Sequence, residues 1–204
     1  MYKLKFPKDT DIHKIRNTEM YKFYLKTFGD DFPEYLIDKR MFRAFKHEPI
    51  NSINVCDTIA KHIGHKSIKG LVLDSSTDIL DYDPCSINLN ILNLYKYCGE
   101  NIANKLIISE NGIMLNYDPE NVEKVLSFID AKLSRGQMQK LLLRSYCRVI
   151  GWDAKCIEQS YNLLNLNIGK KLTDAVVIKS RGIVLIMHKD LSVMDKFNNI
   201  SIRR

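Results

Sequence analysis

The stretch Lys105-Leu-Ile-Ile-Ser-Glu-Asn-Gly-Ile-Met-Leu-Asn-Tyr117 carries the clearest local pattern in the chain. Its Asn111-Gly112 pair suits the positive φ angles of a type I′ turn, and residues of high β propensity flank the pair, so the pattern predicts a β-hairpin. A second hairpin is predicted over residues 175–188, where Ser180-Arg181-Gly182 would form the turn. The apolar run Gly70-Leu-Val-Leu73 has the length and composition of a short buried strand.

Most of the remaining chain has the apolar spacing of amphipathic helices. The predicted helices are residues 17–28, one that begins at Phe32-Pro33, one from about Ser52 to Gly64, one from Ser86 to Gly99, one opened by Asp118-Pro119-Glu120, one over 137–150 and one from Asp153 to about 165. We detect no internal repeat. Helices with intervening hairpins indicate an α+β fold with a helical N-terminal part. We expect a helical subdomain over 1–66 and an α+β domain over 67–204, or one continuous domain.

The composition is that of a globular protein. The 204 residues are 45% hydrophobic and 27% charged, with 9 Gly and 5 Pro, which excludes disordered and fibrous classes. The 5 cysteines form no Cys-x-x-Cys pair, and this odd number indicates free thiols in a reducing, cytoplasmic compartment. The first residues lack the apolar core of a secretory signal. No stretch reaches the roughly 18 apolar residues of a membrane span.

Charge is segregated along the sequence, although the net charge of +7 is modest. Residues 1–73 carry 14 basic and 9 acidic groups, and residues 74–130 carry 3 basic and 10 acidic groups. Residues 131–204 carry 14 basic and 5 acidic groups. A surface selected only for solubility would mix the two signs, so the basic segments predict a polyanionic partner.

One predicted helix in the last third concentrates the positive charge. Lys140, Arg144 and Arg148 follow at i, i+4 and i+8 within the predicted helix 137–150, a spacing that places three cations on one face. Such a row matches phosphates along a nucleic-acid backbone. Further cations are expected to extend this surface: Arg135, Lys170, Lys171, Arg181 and the pair Arg203-Arg204. Tyr146 on the same helix could stack on a base. The alternative is an ordinary solvated helix face.

These patterns favour a non-catalytic protein, without cofactor, that docks on RNA or a ribonucleoprotein. No zinc-finger spacing, basic zipper or RNP1 pattern occurs, which disfavours a sequence-specific reader of DNA. The ribosome is the most concrete partner, because backbone and shape contacts suffice on such a polyanion. The acidic segment 74–130 would face away from the RNA or contact a basic protein of the same assembly.

A second hypothesis is a Mg²⁺-dependent hydrolase that uses Asp74. An acid at the end of an apolar strand is where α/β enzymes often hold a nucleophile or metal ligand, and Asp81 and Asp83 could add metal contacts. Over about ten residues the arrangement resembles that of haloacid-dehalogenase-type phosphatases. Those enzymes carry Asp-x-Asp after the strand, whereas this chain has Ser76 at the second acidic position.

A third hypothesis is a protein-interaction module whose acidic middle and basic ends meet different subunits. His62 and His65 are too few ligands for a zinc site, so no metal is predicted. No phosphate-binding glycine loop and no nucleophile motif occurs in the chain, which gives no support to nucleotide binding or acyl transfer.

Overall fold

Helices form every regular element that the structure, a computed structural model, describes in residues 12–145 and 147–186. The chain divides into two compact units, Met1–Pro84 and Cys85–Arg204. The α-helices are α1 Ile12–Arg16, α2 Glu19–Phe28, α3 Asp31–Asp38, α4 Pro49–Ile63, α5 His65–Asp74, α6 Pro84–Cys98, α7 Glu100–Ser109, α8 Pro119–Lys132, α9 Arg135–Ser145, α10 Ala154–Ile168 and α11 Lys170–Lys179. The 3₁₀ helices are η1 Phe42–Lys46, η2 Asp78–Asp81, η3 Ile113–Asn116, η4 Arg148–Gly151 and η5 Ile183–Leu185.

The predicted α+β fold is therefore wrong, and the first predicted hairpin shows why. Asn111 and Gly112 do have positive φ angles of 54° and 69°, but they end helix α7 instead of joining two strands. The Gly112 N–H donates to the carbonyl of Ile107 at 2.9 Å, a helix C-terminal closure of the Schellman type. The same residue types thus serve a helix end as readily as a hairpin turn.

The other two predicted strand regions are also helical. Gly182, with a φ of 79°, follows the end of α11 and precedes η5, so the described part of 175–188 is no hairpin. Residues 187 and 188 lie outside the described residues. The apolar run 70–73 forms the last turns of α5, where Leu71 and Val72 are buried. A four-residue apolar run does not distinguish a strand from a buried helix segment.

A 35-residue repeat organises the chain, contrary to the sequence-based expectation of none. Thr77, Gly112, Cys147 and Gly182 lie 35 residues apart, and each has a left-handed conformation directly before a 3₁₀ helix. Each copy holds a first α-helix, a second α-helix and a 3₁₀ helix. The copies pair α4 with α5, α6 with α7, α8 with α9 and α10 with α11. This order is that of a helical repeat protein.

In the second unit, equivalent helices of successive copies pack side by side. The first helix α8 packs against α10, and the second helices α7 and α11 each pack against α9. The same side-chain positions are buried in each copy, as the equivalent residues Ile107, Leu142 and Val177 show. Each helix pair therefore buries its apolar face against its neighbours, which is the source of stability in stacked repeats.

Acidic side chains cap the first helices, and an asparagine side chain connects successive copies. Asp118 and Asp153 accept hydrogen bonds from backbone N–H groups at the starts of α8 and α10, as their sequence context predicts. The Asn121 amide donates to the Trp152 carbonyl at 2.8 Å, and its oxygen accepts from the Ala154 N–H at 3.1 Å. These bonds satisfy polar backbone groups where one copy passes into the next.

The first unit has an aromatic core beside its repeat copy. Tyr24 packs its ring against Phe28, Phe32 and Phe45, and its hydroxyl donates to the Ala44 carbonyl at 2.8 Å. This cluster fixes α2, α3 and η1 to one another through burial of large rings.

Candidate functional site

Positive charge in the second unit is concentrated on the second helices of the copies. Helices α7, α9 and α11 together contain seven basic and two acidic residues. All seven cations are exposed, and within the described residues six of them have no acidic partner at ion-pair distance; we call these six the basic face. The basic face consists of Lys105, Arg135, Lys140, Arg144, Lys171 and Lys179.

The first helices have a different charge balance. Helices α6, α8 and α10 contain four basic and four acidic residues. Lys96 pairs with Glu123 at 2.8 Å, and Lys124 pairs with Glu120 at 2.6 Å. Two of the three acids on α8 are thus paired with lysines of the same unit. In the sequence, positive charge is concentrated in particular segments. In the structure of the second unit, it is concentrated on the second helices of the copies.

Three of the predicted contact residues lie on α9. Lys140 and Arg144 are exposed one turn apart, in agreement with their i, i+4 spacing. Arg135 is the first residue of α9, and its guanidinium lies over Gly99, where a Cβ atom would stand 2.8 Å from Nη2. Arg135 therefore crosses to the α6–α7 junction of the preceding copy while remaining exposed.

Arg148 does not belong to the helix that the sequence predicts over 137–150. Helix α9 ends at Ser145, Cys147 adopts a left-handed φ of 53°, and Arg148 starts η4. The prediction that three cations lie on one continuous helix is therefore wrong for Arg148. Arg148 lies near Glu110: burial raises the pKa of Glu110, and this guanidinium partly offsets the rise.

The two neighbouring lysines at the start of α11 differ in their contacts. The Lys170 ammonium donates to the Lys132 carbonyl at 2.5 Å and lies 3.1 Å from the Asp174 carboxylate, so internal contacts occupy it. Lys171 is exposed and belongs to the basic face. Arg181 follows the end of α11 with a φ of 56°, and it is exposed. Tyr146, Arg203 and Arg204 lie outside the described residues.

Sequence reasoning missed two members of the basic face, Lys105 and Lys179. Lys105 precedes Lys140 by 35 residues, and Lys179 follows Arg144 by 35 residues, so each pair occupies one repeat position. Because α7 and α11 both pack against α9, these pairs lie side by side across neighbouring helices. The 35-residue spacing is the sequence signal that could have found them.

The acidic residues of the hydrolase hypothesis have other surroundings than predicted. Asp74 is the last residue of helix α5, not the residue after a strand. Asp81 lies 3.9 Å from the Arg43 guanidinium, which is also 3.5 Å from the carboxylate of the neighbouring Asp78. Asp81 also contacts the buried ring of His47 at 2.5 Å. Within the described residues, no three His, Cys, Asp or Glu side chains are grouped to hold a metal ion.

Comparison of the chain with protein-family models, with curated proteins and with solved structures gives no match. These comparisons lend no support to an RNA or ribosome role. In the described part of the chain, no helix has the length and apolar character needed to cross a membrane.

Proposed function

We propose that this protein docks on RNA, free or within a ribonucleoprotein, through the basic face of its second unit. The proposal rests on the difference in charge between the second helices and the first helices of the copies. Seven cations and two acids lie on α7, α9 and α11, whereas α6, α8 and α10 carry four of each sign. A row of exposed cations gains binding free energy by releasing counterions from a nucleic-acid backbone.

The spacing of the basic face suits several phosphates at once. Lys140 and Arg144 are separated by one helical turn, about 6 Å along the axis. Lys105 and Lys179 stand on the neighbouring helices, whose axes are about 8–10 Å from that of α9. The cations therefore form a two-dimensional array instead of a single line, and an array fits a folded RNA surface better than an isolated phosphate.

The contacts are expected to be with the backbone rather than with the bases. Helices α7, α9 and α11 contain no aromatic residue, so they offer no ring on which an unstacked base could lie. Arginine and lysine contacts to phosphate position a protein but carry little sequence information. We therefore expect weak sequence preference and strong salt dependence.

The test is a pair of charge-matched triple variants. The first replaces Lys140, Arg144 and Lys179 of the basic face with Glu, and the second replaces Lys96, Lys124 and Lys155 of the first helices with Glu. Both change the net charge equally, and all six residues are exposed. RNA affinity is measured by fluorescence anisotropy at several salt concentrations, and co-sedimentation with ribosomal particles is measured in parallel.

The basic-face variant should lose RNA binding, and the salt dependence of any residual binding should fall by about 2–3 in log–log slope for three lost phosphate contacts. The control variant should keep most of its affinity. Equal losses in the two variants would mean that only net charge matters, and the proposal would be wrong. Binding to a protein partner that persists after RNase treatment would favour the protein-interaction hypothesis.

A further inference from the structure

The last described copy, α10 with α11, has polar side chains at core positions that are mostly apolar in the other copies. Ser160 is 2% exposed and stands where α8 has Val125. Thr173 is 0% exposed and stands where α9 has Met138. Among the described residues, neither hydroxyl has a hydrogen-bond partner. A buried hydroxyl without a partner destabilises the folded state because water no longer satisfies it.

A carboxylate is also enclosed in this copy. The Tyr161 hydroxyl donates to Asp174 at 2.5 Å, and Asp174 is only 8% exposed. The equivalents of Tyr161 in the two copies directly before it are Leu126 and Ile91, both fully buried. The Lys170 ammonium, 3.1 Å from Asp174, lies at the surface and compensates the charge from one side. Enclosing a charge stabilises a core less than well-packed apolar residues of similar volume do.

In stacked repeats, the stability of each copy is set by its own core and by its contacts with adjacent copies. A copy with a weakened core opens at a lower free energy than the whole chain. We infer that α10 and α11 open together as a local unit while α8 and α9 stay folded, and that polyanion binding closes this unit. The second half of this inference depends on the proposed function, because Lys171 and Lys179 on α11 belong to the basic face.

Native-state hydrogen exchange on the full chain tests the opening. Amides of α10 and α11 should exchange faster than those of α8 and α9 by about thirtyfold or more, the ratio expected from two unpartnered hydroxyls. Replacing both hydroxyl residues, Ser160→Ala with Thr173→Val, should slow exchange in α10 and α11 by about tenfold or more. Equal exchange rates in the two helix pairs of the unmodified protein would refute the opening.

Ser145→Ala is the matched control. Ser145 is buried in α9, but its hydroxyl donates to the Leu142 carbonyl at 3.2 Å, so its removal should not slow exchange anywhere. If Ser145→Ala slows exchange as much as the double variant does, the unpartnered hydroxyls are not the cause of the fast exchange, and the inference fails.

The same RNA used for the affinity measurements tests the coupling. Saturating RNA should slow exchange in α10 and α11 more than in α8, and the double variant should bind RNA more tightly because less ordering is needed. RNA that binds without additional protection of α10 and α11 would refute the coupling. Fast exchange in α10 and α11 without any RNA binding would support the opening and refute both the coupling and the proposed function.

Discussion

Replacing Asn121 with alanine should weaken the connection between two copies of the repeat in the second unit. The Asn121 side chain forms two hydrogen bonds, one to the Trp152 carbonyl at 2.8 Å and one from the Ala154 N–H at 3.1 Å. The Ala154 N–H belongs to the first residue of α10, where no preceding helical turn supplies an acceptor, and the Trp152 carbonyl lies just before the N-cap Asp153. Because each bond contributes about 0.5–1.5 kcal/mol, Asn121→Ala should lower the free energy of unfolding by about 2 kcal/mol.

Urea denaturation measures this effect. The midpoint should fall while the slope with denaturant stays constant, since the surface exposed on unfolding hardly changes. Asn162→Ala on α10 is the control, because Asn162 is exposed and its replacement should change stability by less than about 0.5 kcal/mol. If Asn121→Ala costs no more than Asn162→Ala, the side-chain bridge does not stabilise the connection and the reasoning is refuted.

Two further substitutions test the local geometry. Gly99 has φ 81° and ψ 152°, a region that only glycine adopts readily, so Gly99→Ala should cost about 1–3 kcal/mol in urea denaturation, whereas Gly136→Ala inside α9 should be neutral or stabilising. A neutral Gly99→Ala would contradict this. The pKa of Glu34 is lowered from 4.5 by hydrogen bonds from Arg16 and Tyr21. Stability from this pair is therefore present above pH 4.5 and is lost as the pH falls further, so the stability difference between wild type and Glu34→Gln should disappear in acid. A difference that persists at low pH would contradict the assignment.

The sequence predicted the helices that begin with strong capping signals. After Asp118 the sequence places five apolar residues at helical spacing, and all five are buried, the first four of them within α8: Val122, Val125, Leu126, Ile129 and Leu133. Asp153 likewise caps α10. A short polar side chain before an apolar stripe of helical period leaves few other conformations open, so both signals indicate the same element.

The predicted strands failed because their signals are shared by short buried helices. Ala103, Leu106 and Ile107 are buried at i, i+3 and i+4, the spacing of one helix face, whereas Ile108 is 45% exposed. Helix α7 has only ten residues, and a helix this short shows less than three turns of its period. Tertiary packing against α9 determines its conformation, and that packing is not visible in the local sequence.

The repeat explains why charge counted by segment indicates the basic last third of the chain but does not indicate Lys105. Lys105 lies in the acidic middle of the sequence, where basic residues are few. In the structure, Lys105 occupies the same repeat position as Lys140 and stands on a helix that packs beside α9. The position of a cation within the 35-residue repeat, rather than its segment of the chain, decides whether it reaches the basic face.

A cation introduced at Ala175, which is exposed and is the next equivalent of Lys105 and Lys140, should consequently extend the face onto α11. Ala175→Lys should tighten RNA binding and steepen its salt dependence by about 0.7–0.9 in log–log slope. A lysine at exposed Gln159 on α10 adds the same charge and should change neither quantity appreciably. Equal effects of the two lysines would show that RNA binding does not depend on whether the cation lies on a first or a second helix.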